Sequence, residues 1–405
     1  MIKLRDYQID LGYKASEILK RLKIVYLVMQ VRIGKTITSF EIAKNFGAKN
    51  VLFLTKKKAI SSIENDYKSF KYDFDLTVIN DESIHKVDGD FDLVVHDEHH
   101  RFGAFPKPNK TAKTFKDKYS HLPMVFLSGT PTPESWAQWY HQFWISEYSP
   151  FREYSNFYKW ADEFVNITKK YVSYGTVNDY SGAEKELIDP LIKDYILTYT
   201  QKEAGFVSNV VEQILEVEML PITYQIISKL KKDLVVSNNN GQVILADTAV
   251  KLMQKVHQIS SGTCKFEDGT SKVIDYSKAE YIKNNFTEKI AIFYKFKEEL
   301  NALENIFGDS LTSDLGVFNS TDKNIALQIV TGREGISLKE AKCLVYYNID
   351  FSAVSYWQSR DRLTTMDRLE NKIYWIFSKG GIENDIYKTV LSKKNYTLSI
   401  FKKND

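Results

Sequence analysis

The sequence predicts an α/β protein of two tandem domains, each a parallel sheet flanked by helices. Two observations carry this prediction. Short apolar, β-branched runs fall into two series, one in each half of the chain, with helical patterns between the runs. The runs are apolar throughout instead of alternating, the pattern of strands covered on both faces, as those of parallel sheets are. A chain of 405 residues is long enough for two or three domains with full cores.

The first series is "IVYLVM" (24–29), "VLFLT" (51–55), "LTVIN" (76–80), "FDLVVHDE" (91–98) and "MVFLSGT" (124–130). Between the first two runs, "KTITSFEIAKNFG" sets Ile37, Phe40, Ala43 and Phe46 on one helical face and stops at Gly47, a residue suited to a left-handed C-cap. The second series is "KIAIFY" (289–294), "ALQIVT" (326–331), "CLVYYNI" (343–349) and "IYWIF" (373–377). Between the two series, over 135–285, the pattern reads as mostly helical, with the aromatic stretch "WAQWYHQFW" and a helical insert near 150–205. The predicted domains are 1–205, with a helical extension over 135–205, and 206–405. No repeat of solenoid type is present.

Composition narrows the class. The chain is 43% hydrophobic and 26% charged, without low-complexity tracts. Its abundant Tyr and Phe, together with Lys, Asn and Ile, fit an AT-rich genome. A net charge of +3 neither marks a nucleic-acid binder nor excludes one, because a local basic groove can sit on a near-neutral protein. Two cysteines, Cys264 and Cys343, rule out a disulfide framework or a zinc cluster and suit a reducing compartment. No apolar run is long enough to span a bilayer, and "MIKLRDYQID" is not a signal peptide, so a cytoplasmic protein with no membrane partner is expected. The compact length points to a bacterial cell or a phage-infected host.

Three motifs carry chemistry. "VMQVRIGKTITSF" (28–40) has the end of a phosphate-binding loop, but Met29 stands where the outer glycine is usual. The tripeptide follows a buried-strand pattern and opens a helix, where backbone N–H groups receive phosphate, Lys35 neutralises its charge and Thr36 offers a hydroxyl to Mg2+. A chance strand-to-helix turn is the competing reading. In "LVVHDEHH", Asp97 and Glu98 end a buried strand, at the sheet edge where such folds bind ligands; Asp97 would hold Mg2+ and Glu98 would polarise the attacking water. His99 and His100 invite a zinc reading, but adjacent histidines rarely reach one ion. In "FLSGTPTPES", Ser128 and Thr130 put small hydroxyls beside the same edge, as a coupling element or simply a Pro/Gly-rich loop.

The ordered set "LRDYQ", "GKT", "DEHH", "SGTP", "VTGREGISL" and "WQSRDR" resembles a superfamily-two helicase of the DEAH/DExH-like kind, and most of all the SWI/SNF-type branch of DNA translocases. Segments between motifs resemble it too: "YILTYTQKEAGF" (195–206), "KLMQKVHQISSGT" (251–263), "EKIAIFYKFKEELNAL" (288–303) and "CLVYYNIDFSAVSYWQSRDR" (343–362). The likeness covers nearly the whole chain in order. It implies two RecA-like domains using ATP and Mg2+. Gln8, with Arg5 and Tyr7 nearby, would read the adenine; Gly34, Lys35 and Thr36 would hold phosphates and magnesium. Asp97 and Glu98 would serve metal and water. Gly335, with Ser337, would approach the inter-domain cleft, and Gln358 and Arg362 would face ATP across it. In this branch a glycine-free lead before Gly-Lys-Thr is common, which reconciles Met29 with a working loop.

One departure stands out. The second arginine of the family's last motif would fall at Thr365 in "QSRDRLTTMDR". A transition-state arginine is worth about 10³–10⁵ in phosphoryl-transfer rate, so either a relocated finger or a weakened motor is implied; helical spacing sets Arg368 near the face of Gln358, Arg362 and Thr365 and Arg360 away from it, and Arg333 is another candidate. DNA, double-stranded or branched, is the expected partner; protein partners are not specified. Backbone-contact candidates are Lys56, Lys57 and Lys58 in "TKKKAI" and Arg101 in "RFGAFPKPNK", though for a given lysine a solvated loop or helix face is the better reading. The expected function is an ATP-driven motor tracking duplex or unwinding branched DNA; the alternatives are a nucleotide-responsive DNA clamp with little ATPase and a small-molecule P-loop kinase.

Overall fold

The computed structural model describes residues 4–30, 32–172, 175–205, 209–238, 240–332, 336, 338–352, 355–356, 359, 363 and 370–392. The chain divides into two compact units, Met1–Phe206 and Val207–Asp405.

In the N-terminal unit, strands β1 (Ile24–Met29), β2 (Asn50–Thr55), β3 (Asp75–Asn80), β4 (Leu93–His96) and β5 (Met124–Ser128) alternate with helices α1 (Asp6–Leu22), α2 (Lys35–Phe46), α3 (Ile60–Phe70) and α4 (Lys110–Tyr119). Helices α5 (Gln138–Trp144) and α6 (Phe157–Phe164), a hairpin of β6 (Thr168–Val172) and β7 (Gly175–Asp179), helix α7 (Lys185–Ile192) and strand β8 (Ile196–Tyr199) follow. The sheet runs β3-β2-β4-β5-β1-β8, with every pairing parallel. Both its faces are covered, as the unbroken apolar runs require. On β1, Ile24 and Tyr26 join the layer containing Phe115, Tyr140, Phe143 and Trp160, while Val25, Leu27 and Met29 join the opposite layer with Leu11, Leu19, Phe40 and Ile42.

Helix α2 ends as expected at Gly47, which is left-handed (φ 87°). Its burial is wider than one face: Thr38 through Ala43 are all buried, because α1 packs beside it in the same core layer. That approach is close enough that a Cβ on Gly12 would lie 2.6 Å from Glu41 Cβ. The region read as a helical insert also needs correction. It contains the β6–β7 hairpin, whose short strands give no apolar signal, and strand β8, which extends the main sheet beside β1.

The C-terminal unit opens with β9 (Asn209–Val217) and α8 (Pro221–Asp233). Two small hairpins follow, β10 (Val235–Ser237) with β11 (Val243–Leu245) and β12 (Thr263–Lys265) with β13 (Ser271–Val273), separated by α9 (Ala249–Ser260). Then come α10 (Ser277–Asn285), β14 (Ile290–Tyr294), α11 (Lys297–Phe307), β15 (Leu311–Thr312), β16 (Asn324–Gln328), β17 (Cys343–Tyr346) and β18 (Glu370–Ser378). Its sheet is again parallel, in the order β15-β16-β14-β17-β18-β9. The expected strand over 326–331 stops at Gln328, and Ile329–Gly332 turns helical. β9 lies ahead of the strand expected to open this sheet. It escapes an apolar-run search because it is an edge strand with mixed polarity, and its Glu212 accepts hydrogen bonds from Tyr356, Trp375 and Tyr387. Two tandem parallel-sheet domains are therefore the architecture, as the sequence predicts.

A side chain at position 12 should wedge α1 from α2 and, through them, disturb the loop between β1 and α2. Gly12→Val is expected to lower unfolding stability by about 1–3 kcal/mol, measured by denaturant titration against the native chain; an unchanged midpoint would contradict this packing.

Candidate functional site

The candidate site is built at the carboxyl edge of the N-terminal sheet. β5 is hydrogen-bonded to β4 on one side and β1 on the other, with Val28 opposite Ser128 and His96 opposite Phe126. The loop leaving β1 and the acidic pair leaving β4 therefore emerge on either side of Ser128. Gly34 takes a left-handed conformation (φ 79°) as the N-cap of α2, so Lys35 and Thr36 open that helix with its positive end beneath them. Lys35 Nζ donates to Met29 O at 3.2 Å, which folds the ammonium back over the loop.

The N-terminal "LRDYQ" segment is packed onto this loop. Gln8 Nε2 lies 3.4 Å from Gly34 O, and Gln8 Oε1 accepts from Arg5 N at 3.0 Å. Tyr7 donates its hydroxyl to Ile33 O, receives Arg5 Nη1 at 2.8 Å and stacks on Tyr199 of β8. A Cβ on Gly34 would sit 2.2 Å from Gln8 Nε2, so contact and backbone conformation both call for glycine there.

Asp97 accepts from Thr55 Oγ1 at 3.1 Å, which ties the end of β2 to the carboxylate after β4. Burial, and then the neighbouring Glu98 charge, push the Asp97 carboxyl up to about 6, against the pull of Lys35, Thr55 and Arg101. Glu98 is left-handed without being glycine (φ 49°), a conformation that costs free energy. The Asp97 carboxylate and the hydroxyl of Thr36, in the first turn of α2, are oxygen donors of the kind a hard divalent cation takes, with phosphate oxygens and waters completing its shell. Among the described residues no cluster of three or more His, Cys, Asp or Glu is arranged to hold a metal.

The histidines beside the acidic pair are bound to protein groups. His99 Nε2 donates to Gln142 O at 2.9 Å, His99 Nδ1 meets His96 Nδ1 at 2.6 Å, and the ring stacks on Phe126. Burial holds His99 well below the usual imidazole range, so it is neutral. His100 Nδ1 lies 3.0 Å from Ser128 Oγ and 3.3 Å from Glu98 Oε2, and burial brings its pKa down to about 4. Ser128 Oγ also accepts Thr130 N–H at 3.1 Å. Ser128 and Thr130 are thus linked to Glu98 through one neutral ring.

Arg101 is held inside the domain: Nη2 pairs with Asp81 at 2.6 Å, and the guanidinium also reaches the carbonyls of Asp97 and Glu98. Phe102 beside it is buried in the core, and Phe105 packs against the same core layer. Lys56 is half-buried just past β2, and Lys57 and Lys58 are exposed in the turn that follows. Gly335, Ser337, Gln358 and Arg362, with Thr365 and the alternative arginines Arg333, Arg360 and Arg368, lie outside the described residues. Sequence reasoning missed Thr55, Asp81, Tyr26 and Gln142. Thr55, a lone hydroxyl closing "VLFLT" at the same edge, was the most visible of them.

A carboxyl with a raised folded-state pKa disfavours the folded state once it must ionise, so its unfavourable contribution grows as pH climbs from the unfolded value near 4 through about 6. Asp97→Asn keeps an acceptor for Thr55 and should stabilise the ligand-free protein at pH 8 by on the order of 1–2 kcal/mol, with the gain vanishing below pH 4. Thermal unfolding across that range reads it, and a gain independent of pH would contradict the assignment.

No protein-family model matches the chain, and no curated protein matches it. Among solved structures it is similar to the SWI2/SNF2 ATPase core of Sulfolobus solfataricus in complex with dsDNA, with a TM-score of 0.44 and 15% identity over 99% of this chain and 92% of that one. It is also similar to the SWI2/SNF2 ATPase core domain of the same organism, with a TM-score of 0.44 and 15% identity, covering 100% of this chain and 90% of that one. No residue role follows from a likeness of that degree.

Proposed function

We propose that this protein is an ATP-driven motor acting on DNA. The observation that carries the reading is the convergence, at one sheet edge, of the Gly34-Lys35-Thr36 loop, the Asp97–Glu98 pair and Gln8 against the loop backbone. The N–H groups at the start of α2 and the Lys35 ammonium receive the phosphates. Gln8, with Arg5 and Tyr7 behind it, is placed to read the base. Glu98, held beside His100, orients the attacking water. Thr36 and Asp97 would hold a magnesium ion, which would supply charge neutralisation for the transferred phosphoryl group. The motif order along the chain supports DNA as the track, and Arg362 is the first candidate for the transition-state arginine. Lys57 and Lys58 supply exposed positive charge for phosphate contact.

A second reading, a nucleotide-responsive DNA clamp, is favoured by Thr365, which stands where a second arginine is expected. ATPase rates with and without double-stranded, branched and single-stranded DNA separate the two. The motor should be stimulated by DNA, and Lys35→Ala and Glu98→Gln should each lower kcat by about 10²–10⁴. A rate that DNA leaves at the level of those variants would remove the motor and favour the clamp. Changing Arg333, Arg360, Arg362 and Arg368 singly to Ala locates the finger, and full activity in Arg362→Ala would refute its assigned role.

Lys57→Ala and Lys58→Ala should weaken binding without regard to sequence, each lowering the salt slope of affinity by about 1. A slope unchanged in both would exclude that turn from the DNA contact. Triplex displacement compared with strand displacement then tells duplex tracking from unwinding.

A further inference from the structure

Among the described residues, five that are not glycine have a left-handed backbone: Lys23, Arg32, Lys71, Glu98 and Leu234. Three of them have an ordinary reason. Lys23, Lys71 and Leu234 stand at the C-caps of α1, α3 and α8, where a left-handed residue ends a helix. Arg32 and Glu98 end no helix. They lie on the loops that leave β1 and β4, on either side of β5, so the strain without a capping role is confined to one sheet edge. Glu98 belongs to the acidic pair already described, which leaves Arg32 (φ 68°) to be explained.

The loop around Arg32 is clamped from both ends. Before it, Gln30 N donates to Tyr199 O at 3.2 Å, and Gln30 Oε1 accepts from Gln201 N at 2.6 Å. After it, Ile33 is fully buried in the layer of Leu11 and Phe40, and Ile33 O accepts the Tyr7 hydroxyl at 3.0 Å. The backbone at 32 therefore cannot relax without unseating Ile33. Glycine would take this conformation freely, yet the position carries a half-buried arginine. The loop's other cation is already in use: Lys35 Nζ donates to Met29 O at 3.2 Å and lies 3.5 Å from Gln30 O, so part of its charge answers loop carbonyls. A guanidinium stays charged at any working pH, and its fork of donors matches phosphate oxygens in pairs.

We infer that Arg32 is a second phosphate-binding residue of this loop, its guanidinium taking oxygens of the nucleotide's polyphosphate, and that this contact is why a strained arginine stands where glycine would fit. The inference deepens the ATP reading and rests on it. It predicts that affinity and stability move in opposite directions when the arginine is removed.

The test measures Kd for ATP, ADP and adenosine by calorimetry with Mg2+ present, and the denaturant midpoint of the ligand-free protein. The full chain is used as wild type, Arg32→Gly, Arg32→Lys and Lys35→Ala. Arg32→Gly should weaken ATP and ADP by about 10–100-fold, leave adenosine unchanged, and hold or raise the unfolding midpoint. Arg32→Lys keeps the charge but not the fork, so its affinity for ATP should fall between the two. Unchanged ATP affinity in Arg32→Gly would overturn the inference, and so would an equal loss for adenosine. A glycine variant that binds ATP weakly and is also less stable would mark Arg32 as merely structural. A lysine variant no better than glycine would refute the contact even if the glycine variant failed to fold. Wild type that does not bind ATP, or binds it as well after Lys35→Ala, would instead sink the nucleotide reading itself.

Discussion

The pairing of β5 with both β4 and β1 is the constraint on which the site depends. Parallel strands must return to the same edge, so each strand in this sheet delivers its following loop to one side of the domain. With β5 in the middle, a phosphate-type loop and a carboxylate pair are held one strand apart, on either side of Ser128. The register is protected by burial on both faces: a slip of one residue on β1 would exchange Tyr26 with Val25 or Leu27 between two different core layers.

That arrangement has costs, and they are concentrated where chemistry is expected. Asp97 sits where its charged form is disfavoured, Glu98 adopts a backbone region that favours glycine, and four polar side chains behind them are enclosed. A buried polar group is tolerated only when its hydrogen bonds are met. Here they are met by partners from separate elements: Tyr26 from β1, Gln142 from α5, His99 and His100 from the turn after β4, and Thr55 from β2.

Much of this was legible in the sequence because parallel strands buried on both faces leave unbroken apolar runs. β1, β2, β4, β5, β14 and β17 follow from that signal. β9 did not, since an edge strand has one open side and Glu212 can serve as an acceptor for aromatic donors far along the chain. The hairpins between residues 168 and 273 are too short to show a period. Of the site, the residues beside Gly-Lys-Thr and Asp-Glu were visible because their chemistry is local in sequence. Gln142 was not, since "WAQWYHQFW" reads as core and the bond to Tyr26 spans 116 residues. Arg101 shows a partner that its charge alone could not announce: Asp81, twenty residues earlier in the chain, pairs with its guanidinium.

The central claim is that this sheet edge binds a nucleoside triphosphate with its phosphates on the α2 N-terminus and its metal between Thr36 and Asp97. An experimental structure with Mg2+ and a non-hydrolysable ATP analogue tests it most directly. The account predicts density for the phosphates against the N–H groups of Gly34, Lys35 and Thr36, with the base beside Gln8 and the ion bonded to Thr36 Oγ1 and to Asp97 directly or through water. Nucleotide bound elsewhere, or a metal held without either residue, would contradict it.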